Sequence, residues 1–372
     1  ILRYATRGFL RILVSLPTCI LAPVRRRSRD DSGRELPLAE PDRRAVDLRR
    51  PRTMEVMETA AAGVAMAPED APRGTVYGFE VHSPEPLRYL RERTGRAAPR
   101  LRVVARDDDA RPTGEPLRRW LPRPGNPFRA DLFAEGNAYR LRIEGLGWYR
   151  IDPEGREVWV PPTADPLRRE ERLYGIPLAV ILARSGALPI HAATVQVGDG
   201  AVALAAPGKH GKTTLAAALA AAGHRLLAED VSCCTLEDGP AVLPGPALLR
   251  IRPDTFERLS VPGAEVTTSD DERVHLAMRG EARGDSSPVP LRAILFLHPT
   301  DGPMRLVGKE PHAAVQDLWV LATKLPTDED RTRCFEAIAR LAGQVPAFDL
   351  ARPNRWDLLP RLVDLVVEVT GA

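Results

Sequence analysis

The stretch Ala203–Gly223, ALAAPGKHGKTTLAAALAAAG, constrains this chain more than any other. An apolar run enters a glycine-bearing turn, and Gly211-Lys212-Thr213 then opens a helix that Gly223 is placed to end. A loop of this kind curls successive backbone N–H groups around phosphate at a helix N-terminus. Its lysine reaches the β- and γ-phosphates, and its Ser or Thr hydroxyl binds Mg2+. Strand, loop and helix stand in the required order, so phosphate contacts are expected from Gly208, Lys209, His210, Gly211, Lys212, Thr213 and Thr214. The first glycine of the usual loop is replaced by Ala206, which adds one methyl group where the chain curls tightly. A Gly-Lys-Thr helix start without a ligand is the plain alternative.

Lysine usage favours the phosphate reading. The chain has 372 residues and only four lysines, Lys209, Lys212, Lys309 and Lys324, and two of them fall in this loop. Elsewhere arginine supplies the positive charge, whereas a phosphate loop wants a compact ammonium. Net charge is +3, unevenly spread: residues 1–53 carry +7 and the remainder −4. A mildly acidic body argues against nucleic acid as a partner, because that binding rests on a basic surface. The four cysteines, Cys19, Cys233, Cys234 and Cys334, have neither zinc-ligand spacing nor disulfide-scaffold density, which implies a reduced, cytoplasmic protein. Cys233 and Cys234 are expected as one buried and one exposed strand residue.

Residues 9–24 faintly resemble a signal segment, but Arg11 and Pro17 interrupt them, and no membrane association is expected. Residues 1–53 are expected to be an upstream over-extension or a tail, and 1–70 are set apart from the folded chain. From 71 to 163 the pattern is strand-like: TVYGFEVHS, RLRVVAR, YRLRIEGLGWYRID and REVWVPP are β-branched or aromatic runs separated by turn residues. They predict a small β-rich module, with PTGEPLRRWLPRPGNP as a loop inside it. Next, DPLRREERLYGIPLAVILARSG predicts a helix capped by Asp165, kinked at Gly175 and Pro177, and ended by Gly186. Strands then alternate with helices: LPIHAATVQVG, AVALAAP, the helix from Lys212, HRLLAED, short strands to LLRIRP, RAILFLH, and helices near 311–323, 328–342 and 356–369. An α/β domain over 164–372 follows.

HRLLAED ends in adjacent acids, Glu229 and Asp230. An acid ending a strand beside a phosphate loop commonly holds Mg2+ or takes a proton from the attacking group. His191 lies on the strand before the loop strand, where a lone histidine is more often structural. Arg250 and Arg252 could meet phosphate or an acidic peptide, but in so arginine-rich a chain they read as strand-surface arginines.

His191, the loop and the paired acids together resemble the C-terminal domain of HPr kinase/phosphorylase, and especially the HPr-kinase-like proteins of peptide maturation, lasso-peptide kinases included. Lys212 follows His191 by 21 residues and precedes Asp230 by 18, intervals that fit that family. The resemblance spans roughly 165–372, with specific motifs only between His191 and Asp230. It implies a P-loop kinase domain of the HPr-kinase/PEP-carboxykinase-like type, preceded by a β-rich domain, that uses ATP and Mg2+ to phosphorylate a serine on a protein or peptide. Lys212 would grip the phosphates, Thr213 would bind Mg2+ with help from Glu229 and Asp230, Asp230 would be the base, and His191 would support it. Ala206, the Glu229-Asp230 pair and the missing glycine-rich signature after Asp230 depart from true HPr kinases. These departures point away from HPr itself as substrate.

The expectation is therefore a kinase. A non-catalytic nucleotide-binding partner whose β-rich module recognises a peptide is the alternative, and a small-molecule kinase a third. Self-association is left open.

Overall fold

Turn chemistry sets the first sheet. In this computed structural model, which describes residues 72–371 apart from 96, 109 and 123–127, β1 (Pro72–Val76) and β2 (Phe79–His82) form a hairpin. Its two turn residues, Tyr77 and Gly78, both have positive φ, 48° and 78°, the twist that suits a two-residue hairpin. β3 (Arg100–Ala105), β4 (Arg118–Trp120), β5 (Ala130–Glu135), β6 (Ala138–Ile143), β7 (Gly147–Ile151) and β8 (Glu157–Val160) complete an eight-stranded sheet in the order β1-β2-β3-β8-β7-β6-β5-β4. Pairing is parallel at β2–β3 and β3–β8 and antiparallel elsewhere. Alternation places Leu101 and Val103 inward between arginines that face out. The residues read as a loop at 112–127 contain β4, and β5 follows with no expectation behind it. β4 is an edge strand of three residues, too short to show a period.

The helix expected after residue 164 is two helices, α1 (Pro166–Leu173) and α2 (Ile176–Arg184), because the chain breaks rather than kinks at Tyr174-Gly175. Asp165 caps α1, its side chain accepting from the Arg168 N–H at 2.9 Å. Leu173, Leu178 and Ile181 of these helices pack with Leu101, Tyr149 and Val158 of the sheet in one core.

The remaining elements are β9 (Leu188–Ile190), β10 (Ala192–Val197), β11 (Gly200–Ala205), α3 (Lys212–Ala221), β12 (Arg225–Ala228), β13 (Ser232–Thr235), β14 (Ala241–Leu243), β15 (Leu248–Ile251), α4 (Pro253–Arg258), β16 (Ala264–Ser269), β17 (Val274–Met278), β18 (Val289–Thr300), β19 (Arg305–Lys309), α5 (Pro311–Leu321), α6 (Asp328–Gln344), β20 (Ala347–Pro353) and α7 (Leu359–Thr370). The fold is mixed α/β. Strand β11 runs parallel to β18, and β18 parallel to β20. β18 is long enough to serve two neighbours on one side, β14 at its start and β20 from Ile294 onward. Both faces of β11 are covered: Val202 and Leu204 pack toward α3 and α7, and Ala203 and Ala205 toward α5 and α6. That double burial is why AVALA is apolar throughout rather than alternating.

LPIHAATVQVG, read as one strand, is two. β9 pairs with β13, while β10 pairs with β11 and β12. The break is at His191, whose N–H donates to the Leu321 carbonyl at 2.9 Å instead of joining a ladder. Cys233 and Cys234 are both buried, against the expectation of one exposed, because β13 lies inside the sheet with core on each face. Their surroundings raise both thiol pKa values, that of Cys234 to about 12, by desolvation. The signal-like stretch, the tail and Cys19 lie outside the described residues. Among the described residues no helix is long and apolar enough to cross a membrane.

Candidate active site

β11 delivers the chain into residues 206–211 at its C-terminal end, where ligands bind in open α/β sheets. Ala206 keeps a negative φ and is buried in the core below the loop, so the glycine of the usual motif is not required at that position. The left-handed turns fall later, at Lys209 (φ 68°) and Gly211 (φ 84°). Gly211 heads α3, and no side chain caps the helix there. Gly208 and Lys209 are exposed, His210 rests its Nδ1 2.9 Å from the Gly208 carbonyl, and Thr214 lies half-buried in the first turn of α3.

Lys212 folds back beneath the loop. Its Nζ donates to the carbonyls of Ala206 (2.7 Å) and Pro207 (3.1 Å) and lies 3.0 Å from Nε2 of His191. With only 6% of its surface exposed, its pKa is lowered by burial, against the opposing pull of Asp230 and Glu229. An ammonium has no acceptor to offer, so His191 Nε2 must accept and Nδ1 must carry the ring proton. That Nδ1 faces Asp230, 3.1 Å from its carbonyl and 3.3 Å from Oδ1.

The paired acids follow β12 directly. Glu229 is buried, and its Oε1 accepts from the Thr213 hydroxyl at 2.8 Å. Its Oε2 accepts from Nε and Nη2 of Arg250, at 2.9 and 2.8 Å. Arg250 also reaches Asp230, 3.4 Å from Oδ2. Expected as a surface arginine, Arg250 is instead 22% exposed and turned into the site. Those two carboxylates account for the turn, since they hold its guanidinium firmly in the charged form against the cost of burial. Asp230 keeps 44% of its side chain open to solvent. Burial of its surroundings pulls its pKa up, but the His191 hydrogen bond and the charges of Arg250 and Lys212 outweigh this and hold the carboxyl well below the usual range.

His191, Lys212, Thr213, Glu229 and Asp230 thus converge from three segments, and Arg250 joins them from a fourth. The Thr213 hydroxyl and two carboxylates form an all-oxygen set, the chemistry Mg2+ prefers. Their small number also fits, because Mg2+ takes its other ligands from water and substrate phosphates. Among the described residues no group of three or more His, Cys, Asp or Glu could hold a metal unaided.

No protein-family model matches the chain, nor does any curated protein. Among solved structures it is similar to the HPr(Ser) kinase/phosphatase from Coxiella burnetii, with 12% identity and a TM-score of 0.26 over 48% of this chain and 94% of that one.

Proposed function

We propose that the chain is an ATP- and Mg2+-dependent kinase that phosphorylates a serine hydroxyl on a protein or peptide. The observation that carries this is the imidazole of His191, which has the phosphate-loop lysine on one nitrogen and an ionised, solvent-open carboxylate on the other. Lys212 and the amides opening α3 hold the β- and γ-phosphates of ATP. Thr213, Glu229 and Asp230 would hold Mg2+, which supplies neutralisation of phosphate charge. Asp230 orients the acceptor hydroxyl and takes its proton as the new O–P bond forms. The bond from the γ-phosphorus to the β–γ bridging oxygen breaks, and ADP leaves. A carboxylate of such low proton affinity suits a loose transition state, in which positioning matters more than base strength. The free cysteines among the described residues suit a reducing cytoplasm.

The test compares wild type, Lys212→Ala and Asp230→Asn. With Mg·ATP at about 100 times its dissociation constant, wild type should gain roughly 2.7 kcal/mol of stability. Lys212→Ala should lose that gain. Asp230→Asn should bind within several-fold of wild type but transfer phosphate to a serine-bearing peptide roughly 100-fold more slowly. Transfer at the original rate by Asp230→Asn removes that residue from the mechanism. Wild type that binds ATP and phosphorylates nothing is a nucleotide-binding partner and not a kinase.

A further inference from the structure

Arg352 lies outside every motif, 140 residues beyond Lys212 and one of 49 arginines. It sits at the C-terminal end of β20, opposite Pro299 of β18. The parallel strands β11, β18 and β20 end at one edge of the sheet, so Arg352 reaches the same edge as the phosphate loop. Its guanidinium packs against Gly211: a Cβ built on that glycine would lie 2.5 Å from Cζ and 2.8 Å from Nη1. No other side chain fits at 211 while the arginine stays where it is.

The surroundings of this guanidinium are unusual. Arg352 is 6% exposed, and its buried Nε has no hydrogen-bond acceptor among the described residues. Its side chain has one polar contact there, a long 3.4 Å reach from Nη2 to Asn354 Oδ1, and no carboxylate lies within ion-pair distance. Among the described residues the other buried arginines have partners: Arg91 donates to four main-chain carbonyls, Arg140 to Asp108 and Arg169 to Glu85. A buried cation costs free energy unless it is paired. Arg352 is held against Gly211, the residue that caps the start of a ten-residue helix, where the helix dipole adds further positive potential. Such an arrangement is complementary to an anion, and a planar fork is the donor that matches phosphate oxygens two at a time.

We infer that Arg352 is a phosphate-binding residue of this site, meeting the polyphosphate from beside Gly211. The inference rests on the kinase reading for the identity of the anion as the phosphates of a nucleoside triphosphate. It requires Arg352 for ligand binding and not for the fold.

Binding of Mg·ATP and of inorganic triphosphate is measured by calorimetry for wild type, Arg352→Gln and Arg352→Lys, with the melting temperature of each ligand-free protein. Arg352→Gln should lose roughly tenfold or more in affinity for both probes, the scale of a lost charge-assisted bond. Arg352→Lys should recover part of it. The ligand-free melting temperature of Arg352→Gln should be equal to or above that of wild type, since an uncompensated buried charge is removed. Unchanged affinity in Arg352→Gln overturns the inference, and so does a variant that fails to fold, because Arg352 then serves the fold. Loss of binding in Lys212→Ala with full binding in Arg352→Gln overturns this inference alone. Triphosphate binding that depends on Arg352, in a protein that transfers no phosphate, overturns the kinase reading alone. Wild type that binds neither probe overturns both.

Discussion

His191 Nε2 and Lys212 Nζ lie 3.0 Å apart, and because the lysine can only donate, this contact assigns the ring proton to Nδ1 on the side of Asp230. His191 therefore bridges the lysine and the carboxylate, and under the proposed mechanism it would act by positioning them. His191→Ala should lower the turnover number roughly 10- to 100-fold through misplacement of Asp230. The Michaelis constant for ATP should hold within threefold, since Lys212 keeps its two carbonyl partners. Steady-state kinetics separate the two constants, and a change confined to the Michaelis constant would remove His191 from this role.

The pH dependence should have two distinct limbs. Asp230 is held ionised well below the usual carboxylate range, first against burial and then by His191, Arg250 and Lys212. The stability it contributes is present above its ordinary pKa and is lost only as pH falls through the lower, folded value. No acid-side loss of transfer should therefore arise from Asp230 between about pH 8 and 5. Lys212 has its pKa lowered by burial, so its charge is lost before pH reaches about 10.4, the ordinary lysine value. Nucleotide affinity should start to fall below that pH. Over the same interval ligand-free stability should rise relative to Lys212→Met, because deprotonation relieves a buried charge. Affinity and stability moving in the same direction would contradict the assignment.

Removing Arg250 strands a buried carboxylate. Arg250→Ala leaves Glu229 with the Thr213 hydroxyl as its remaining side-chain partner, and should cost about 3 kcal/mol, the scale for breaking a buried pair from one side. Arg250→Lys should restore only part of this, because a point charge cannot reproduce the two donors of the fork. Urea denaturation measures both. A cost under about 0.5 kcal/mol would mean that the pair behaves as an exposed one.

Ala206→Gly restores the usual loop residue and should bring no gain. Ala206 has negative φ, its side chain is buried, and the contact made with Lys212 uses its carbonyl, which glycine also supplies. The substitution should destabilise by about 0.5–1 kcal/mol through backbone entropy, with ATP affinity unchanged. A several-fold gain in affinity would show that the methyl group obstructs the loop.

What could be read from sequence was local. The strand, loop and helix around Lys212 occupy consecutive residues, and their apolar run and glycines mark them directly. Glu229 and Asp230 were legible for the same reason, being one short strand away. His191 was found by its spacing but misplaced, since only the backbone shows that it interrupts a strand and bonds to Leu321. Arg250 was noticed but read as a surface arginine, and Arg352 carried no signal. In a chain with 49 arginines, what separates these two is which strand ends lie side by side, and that depends on pairings such as Pro299 with Arg352. The three residues of β4 gave no period to detect. Nor does any local pattern tell that β18 serves two neighbours along one edge.

During synthesis the loop at 206–211 leaves the ribosome well before its support does. Ala205, which leads into the loop, pairs with Phe296, about 90 residues later, and the arginine against Gly211 arrives later still. A nascent chain that ends after α3 has Lys212 and Thr213 but no sheet to aim them, and contacts so distant in sequence must first meet the entropy of closing the intervening loop. Under the proposed reading, nucleotide would therefore meet only the finished protein, and its contribution in the cell would be to slow loss of the fold rather than to hasten its formation.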